Sequence, residues 1–221
     1  MYDDLARNDL GAVGSYGGGT HDGYSPTSRR AVILVHGTTN NAGNFFGQRN
    51  ALLSNGWSED TMRNFIKVVA DFTKQKVDII GYSLGSPIVR KAILGGNCVD
   101  GNVELGAPLT SSVETYISVA GANKASYLCV LPVTNACSSV NGLFCLSSFL
   151  QNINSVERYE GSHIYSIYGI NDDKVGYRNV PCLTKNSQIH NSDQEFSNAT
   201  GNHDMILSGT IDLQMNLLNA H

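Results

Sequence analysis

Residues 77–87 read Val-Asp-Ile-Ile-Gly-Tyr-Ser-Leu-Gly-Ser-Pro, and the fold turns on why a serine stands there between two glycines. The β-branched, apolar run Val77–Tyr82 predicts a strand buried on both faces, as in a parallel sheet. Leu84–Leu94 predicts a helix, with Pro87 early, where its missing N–H costs little, and Gly95-Gly96 as the stop. Between them Gly81-Tyr-Ser83-Leu-Gly85 fits the G-x-S-x-G elbow, a sharp strand-to-helix bend that leaves one strained serine hydroxyl in the open. The five-residue pattern alone arises by chance in about one chain in ten of this size. A strand before it and a helix after it make coincidence far rarer.

Outward from the elbow, Ala31–Val35 predicts a second buried strand, ending in the turn His36-Gly37-Thr38-Thr39-Asn40. Phe45 to Leu53 read as a helix, and Met62, Phe65, Ile66, Val69 and Phe72 keep the 3.6 period of another. Thr115–Ala120 and His163–Tyr168 predict further strands, 121–155 a loop-rich stretch, and His203–Leu218 one closing helix. Strands alternating with helices imply βαβ units: an α/β fold with a mostly parallel sheet and helices on both faces. Residues 1–30, with Gly-rich 11–19, form a loop-rich N-terminal segment, and 31–221 a single domain.

Composition narrows the function. Apolar residues make up 41% of the 221, enough for a sizeable core, and the net charge of −4 offers no basic surface for nucleic acid. No apolar run reaches the roughly 18 residues of a transmembrane segment. The five cysteines at 98, 129, 137, 145 and 182 form no C-x-x-C pair and have no histidine at ligand spacing, so neither a metal nor a cofactor is expected. Scattered cysteines point to disulfides and an oxidising compartment, as does the sequon Asn198-Ala-Thr200. Which cysteines pair stays open. The N-terminus, Met-Tyr-Asp-Asp-Leu-Ala-Arg, is acidic and lacks the apolar core of a signal peptide.

A serine hydroxyl is a poor nucleophile at neutral pH. It needs a base to take its proton, an acid to orient that base, and backbone N–H donors for the developing oxyanion. With Ser83 as nucleophile, the order Ser, Asp, His points to Asp172, a few residues beyond the strand that ends at Tyr168, and to His203, just before the last helix. Asn-Asp clusters are also common in solvated turns, and residues alone do not separate Asp172 from Asp173. His21, His163, His190 and His221 lack a matching context, and His36 reads as support for the oxyanion turn. The oxyanion donors expected are the N–H groups of Thr38 and Leu84.

In this order, Val35-His-Gly37, Ser54-Asn-Gly-Trp-Ser58, the elbow, Arg90-Lys-Ala-Ile-Leu94, Ile117-Ser-Val-Ala-Gly-Ala-Asn123, Ile167-Tyr168 with Asp172, and Asn202-His-Asp204 resemble the class 2 lipases, small secreted α/β-hydrolases. The resemblance runs from about residue 31 to the C-terminus. It implies ester hydrolysis, with acylglycerols as substrate, Ser83, Asp172 and His203 as the triad, and Thr38 and Leu84 at the oxyanion. It favours Asp172 over Asp173 by distance from the Ile-Tyr pair. It also implies an extracellular, monomeric enzyme whose partner is a lipid or ester. Carboxylesterase and thioesterase activities use the same residues.

One stretch departs from the family. After Trp57-Ser-Glu-Asp60 a strand is expected, yet Thr61-Met62 enters the next helix at once. A segment of some 20 residues or more is missing, judged by the usual length of a βαβ unit. The Ala31–Val35 strand would then be a sheet edge, Cys98 would have lost its partner, and the chain reads as a shortened isoform. A second function follows from this: a hydrolase-fold binding protein whose triad is inherited but idle. A peptidase has no sequence feature behind it.

Overall fold

The computed structural model describes residues 30–37, 42–45, 48, 66–99, 101, 104–132 and 135–221. Thr38, most of the expected 45–53 helix, the 57–62 junction, Met62, Phe65 and the N-terminal segment lie outside the described residues. Among the described residues five strands form one all-parallel sheet in chain order: β1 (Val32–Val35), β2 (Val77–Tyr82), β3 (Val113–Val119), β4 (His163–Ile167) and β5 (Gln194–Phe196). The first four stand where the apolar runs predict them. All six residues of β2 are buried, whereas β1 buries Val32 and leaves Ile33 to Val35 half-buried. That is the profile of an edge, and among the described residues β1 pairs with β2 alone.

The side-chain alternation of the strands feeds two cores, one on each face. On one face Ile80, Tyr82, Ile117 and Ile167 meet α4 (His203–Gly209) and α5 (Ile211–Asn219). On the other, Val77, Ile79, Tyr116 and Ile164 meet α1 (Ile66–Thr73) and α2 (Gly85–Leu94). The sheet is thus sandwiched, which is why its strands read as continuous apolar runs rather than alternating ones.

Three expectations change. The closing helix is two helices, broken at Gly209-Thr210: the Thr210 hydroxyl donates to the Ile206 carbonyl at 2.7 Å, and the amides of Gln48 and Gln214 both cap the Leu207 carbonyl. The loop-rich 121–155 contains α3 (Ser148–Ile153), started by Ser147, whose hydroxyl accepts the Leu150 N–H. Its six residues are too few for a helical period to show. The three-residue, polar β5 was equally invisible.

Asp78 and Thr115 show how the sheet absorbs a polar residue. The β2–β3 register slips between Val77 and Ile79, and the Asp78 carboxylate takes the Thr115 N–H at 3.0 Å. Arg30 reaches the same carboxylate at 3.1 Å. Burial raises the Asp78 pKa; Arg30 and Thr115 pull against that without reversing it.

Two disulfides, Cys129–Cys137 and Cys145–Cys182, decide the pairing that the sequence leaves open, and Cys98 takes part in neither. No helix among the described residues is long and apolar enough to cross a membrane.

Candidate active site

Ser83 follows the last residue of β2 with φ of 55°, a left-handed conformation that a non-glycine residue adopts only when its surroundings hold it there. The surroundings are explicit. Its N–H donates to the Val119 carbonyl at 3.0 Å, and its carbonyl accepts the N–H groups of Ser86 and Ala122, each at 3.2 Å. The flanking glycines are steric requirements. A Cβ on Gly81 would come within 2.8 Å of the Ser86 Cα, and one on Gly85 would overlap the carbonyl oxygens of Val35 and His36. The second contact brings α2 directly onto the end of β1. Leu84 caps α2, so its N–H is among the first-turn donors that a helix cannot satisfy internally.

A buried polar web underlies the bend. Ser86 Oγ donates to Asn123 Oδ1 at 2.8 Å and lies 2.7 Å from both the Tyr116 and Ser118 hydroxyls. One turn further along α2, Arg90 is buried against Glu160 at 2.8 Å. It also donates to the carbonyls of Asn123 and Ile153 and to Asn154 Oδ1.

Asp172 and His203 are brought together from the loop after β4 and the first residue of α4. Asp172 Oδ2 lies 2.8 Å from His203 Nδ1, and both side chains are 1% exposed. The other oxygen, Oδ1, accepts the N–H groups of Lys174, Val175 and Gly176. Burial pushes this carboxyl up, but His203 and those N–H donors outweigh it and hold the pKa below its ordinary value. Asp173 plays a different part: its Oδ1 accepts the backbone N–H of His203 at 3.0 Å. His203 Nε2 is buried and has no hydrogen-bond partner among the described residues. A histidine with one nitrogen fixed by a carboxylate and the other unspent is what a general base requires.

The remaining histidines stand elsewhere. His36 Nδ1 is 2.9 Å from the Gly37 carbonyl, which fits its expected support of the turn. His163 stacks on His221 with ring centroids 3.4 Å apart, and His190 sits 3.2 Å from Glu157. His21 lies outside the described residues. No group of three or more His, Cys, Asp or Glu among the described residues could hold a metal ion.

A serine on a left-handed strand-to-helix turn and a buried Asp–His pair, all at the carboxyl ends of a parallel sheet, define the class: an α/β-hydrolase fold. Residues 59–216 match the lipase (class 2) family, and the chain belongs to it, a family of carboxylic ester hydrolases. No curated protein matches by sequence. Among solved structures, a Bacillus licheniformis lipase in propeptide form is similar over 89% of this chain and 52% of its own, with a TM-score of 0.62 and 14% identity. The mature form aligns over 88% of this chain and 94% of its own, with a TM-score of 0.58 and 14% identity. Aspergillus fumigatus lipase B follows at 0.54, with 12% identity over 85% of this chain and 52% of its own. The chain thus spans about half the length of the first and third of these, and at such identities the likeness concerns the fold.

Sequence reasoning weighed Asp173 only as the alternative to Asp172 and missed Tyr82, Lys174 and Asp204 as neighbours of this site. Tyr82 and Asp204 adjoin Ser83 and His203 in the quoted motifs, and that adjacency was the available signal.

Proposed function

We propose that this chain is a serine ester hydrolase that cleaves acylglycerol esters through an acyl-enzyme on Ser83. The observation that carries the reading is the buried Asp172–His203 pair, whose Nε2 is unspent among the described residues, packed against Tyr82 next to the left-handed Ser83. Ser83 Oγ attacks the ester carbonyl carbon while His203 Nε2 takes its proton. Asp172 holds Nδ1–H and so keeps the imidazole in the tautomer whose Nε2 accepts. The tetrahedral oxyanion is held by the N–H groups of Leu84 and Thr38, each donor of this kind being worth about 3–4 kcal/mol of barrier. The intermediate collapses as His203 returns the proton to the departing alkoxide, releasing an alcohol. Water, deprotonated by His203, then cleaves the acyl-enzyme to give the carboxylic acid and restore Ser83.

Support for a lipid substrate comes from apolar side chains around the acid and base. Ile170, two residues before Asp172, is 67% exposed, and Met205, two after His203, is 57% exposed. Leu128 and Leu131 are exposed on a loop whose Tyr127 donates to the Asp173 carbonyl at 2.9 Å, so that loop rests on the acid's own turn. Elsewhere in 121–155, Phe149, Leu150 and Ile153 pack inward, while Val140 and Leu146 are exposed. An extracellular location fits the two disulfides and the exposed Asn198 of the sequon.

The test is hydrolysis of short- and long-chain p-nitrophenyl esters by the purified chain and its Ser83→Ala variant. Activity lost with Ser83, and a long-chain preference, are expected. A folded chain without activity would overturn the reading and favour the idle binding protein. A short-chain preference would make it an esterase.

A further inference from the structure

We infer that Asp204, with Tyr82 and Lys174, is a positioning device that locks the His203 imidazole to the nucleophile elbow and the acid loop. The inference rests on the triad reading above, and it starts from what that triad lacks. The Asp172 bond to Nδ1 sets the tautomer of His203, yet a single hydrogen bond leaves the ring free to rock about its Cβ–Cγ bond. Misplacing a catalytic group by about 1 Å can cost about 100-fold in rate. Something else has to hold the ring's face.

Tyr82 supplies that face. It is the residue before Ser83, its ring is 1% exposed, and it lies tilted against His203 with centroids 5.0 Å apart and 33° between planes. Phe45 also meets the Tyr82 ring edge-on, with centroids 6.5 Å apart. The hydroxyl of Tyr82 donates to Asp204 Oδ1 at 2.8 Å. Asp204 follows His203 on the first turn of α4, where a carboxylate suits the helix N-terminus. The same carboxylate receives Lys174 Nζ on both oxygens, at 2.9 and 2.8 Å. Lys174 in turn gives its backbone N–H to Asp172. One carboxylate therefore gathers the neighbours of all three triad residues: Tyr82 beside Ser83, Lys174 two beyond Asp172, and its own position beside His203. Burial and the Asp204 carboxylate raise the Tyr82 pKa well above its ordinary value, which keeps the hydroxyl a donor.

The arrangement separates two contributions. Tyr82–Asp204 is a partly buried hydrogen bond, while Lys174 and Asp204 are 49% and 57% exposed, so their ion pair is weak and screened by salt. The hydrogen bond carries the positioning and the ion pair trims it.

The experiment is steady-state kinetics on soluble p-nitrophenyl butyrate for Ser83→Ala, Tyr82→Phe, Asp204→Ala, Asp204→Asn and the Tyr82→Phe/Asp204→Ala pair, with thermal melts alongside. Asp204→Ala is expected to lower kcat by about 10- to 100-fold with KM within about twofold and the melt nearly unchanged. Asp204→Asn keeps an oxygen for Tyr82 and should recover most of that loss. Tyr82→Phe keeps the ring, and so the fold, and should lower kcat; the pair should be no worse than Asp204→Ala alone, since both changes break one bond. Wild-type kcat in Asp204→Ala, multiplicative losses in the pair, or no recovery in Asp204→Asn would each overturn the positioning role. If Ser83→Ala itself keeps wild-type activity, the triad reading fails, a result distinct from a dead Ser83→Ala beside an unimpaired Asp204→Ala.

Discussion

Replacing Glu160 by Gln tests how α2, the helix behind the nucleophile, is held. Arg90 on α2 and Glu160 are 2% and 1% exposed and 2.8 Å apart. The guanidinium's other donors go to neutral acceptors: the carbonyls of Ile153 and Asn123 and Asn154 Oδ1. Its face lies 5.7 Å from the Tyr159 ring. Among the described residues Glu160 is thus the one carboxylate bonded to this cation, and Gln preserves shape while deleting the charge. Removing one partner of a buried pair typically costs about 3–5 kcal/mol, because the remaining charge stays desolvated without its counterion. Gln can still accept one hydrogen bond, so about 3 kcal/mol is expected for it and nearer about 5 kcal/mol for Glu160→Ala. For a domain of this size each kcal/mol shifts the melt by about 2–4 °C, which places Glu160→Gln about 6–12 °C below the parent. The assay is urea unfolding followed by fluorescence, with calorimetry as the second probe. The reverse control is Arg90→Met with Glu160→Leu. Glu160 Oε2 lacks a partner among the described residues, so the pair has not recovered its full desolvation cost there, and the apolar double variant should sit well above either single one. A Glu160→Gln loss under about 1 kcal/mol would refute the reasoning, for it would mean that the guanidinium is solvated or compensated in another way.

The two disulfides should contribute unequally. Loop closure over 37 residues predicts about 4 kcal/mol for Cys145–Cys182 against about 2.5 kcal/mol for Cys129–Cys137 over 8, read from unfolding of the paired Ser variants. The acid should reveal itself by pH and by chemistry. The pKa of Asp172 is depressed in the folded protein, so its stabilisation is present above the ordinary carboxyl value of 3.8 and is lost as pH falls through the lower folded value. The stability gap between the parent and Asp172→Asn should therefore close below about pH 4, and a gap that stays constant to strong acid contradicts the pairing. At neutral pH, Asp172→Asn should lower kcat by about 10⁴-fold through the wrong histidine tautomer, whereas Asp173→Asn, whose side chain meets the His203 backbone rather than its ring, should lose far less.

How much was legible beforehand differs by element. The runs 31–35, 77–82, 115–120 and 163–168 announced themselves because a sheet covered on both faces makes its strands continuously apolar. The G-x-S-x-G turn was legible because only glycine tolerates the backbone contacts at 81 and 85, so the steric demand is written in residue type. The order of Ser83, Asp172 and His203 followed from the same motif and the family pattern. The junction at 57–62, on which the expectation of a missing strand rests, lies outside the described residues. Short elements were another matter. Gln194–Phe196 and Ser148–Ile153 have too few residues for any periodicity, and the break at Thr210 depends on Gln48, far away in the chain, capping the Leu207 carbonyl.

By itself, then, the sequence determined the class of fold and singled out Ser83, the Asp172-Asp173 pair and His203 as candidates for the site, because local propensity and residue chemistry act over neighbouring positions. Tertiary structure alone decided which cysteines pair. It alone showed that Asp172 bonds to the His203 imidazole and Asp173 to the His203 backbone, since one residue of loop turns a side chain to a different neighbour. It also placed Tyr82, Lys174 and Asp204 on one another across 122 positions of chain, a contact that comes into being only when the ends of β2 and β4 and the start of α4 meet at the same edge of the sheet.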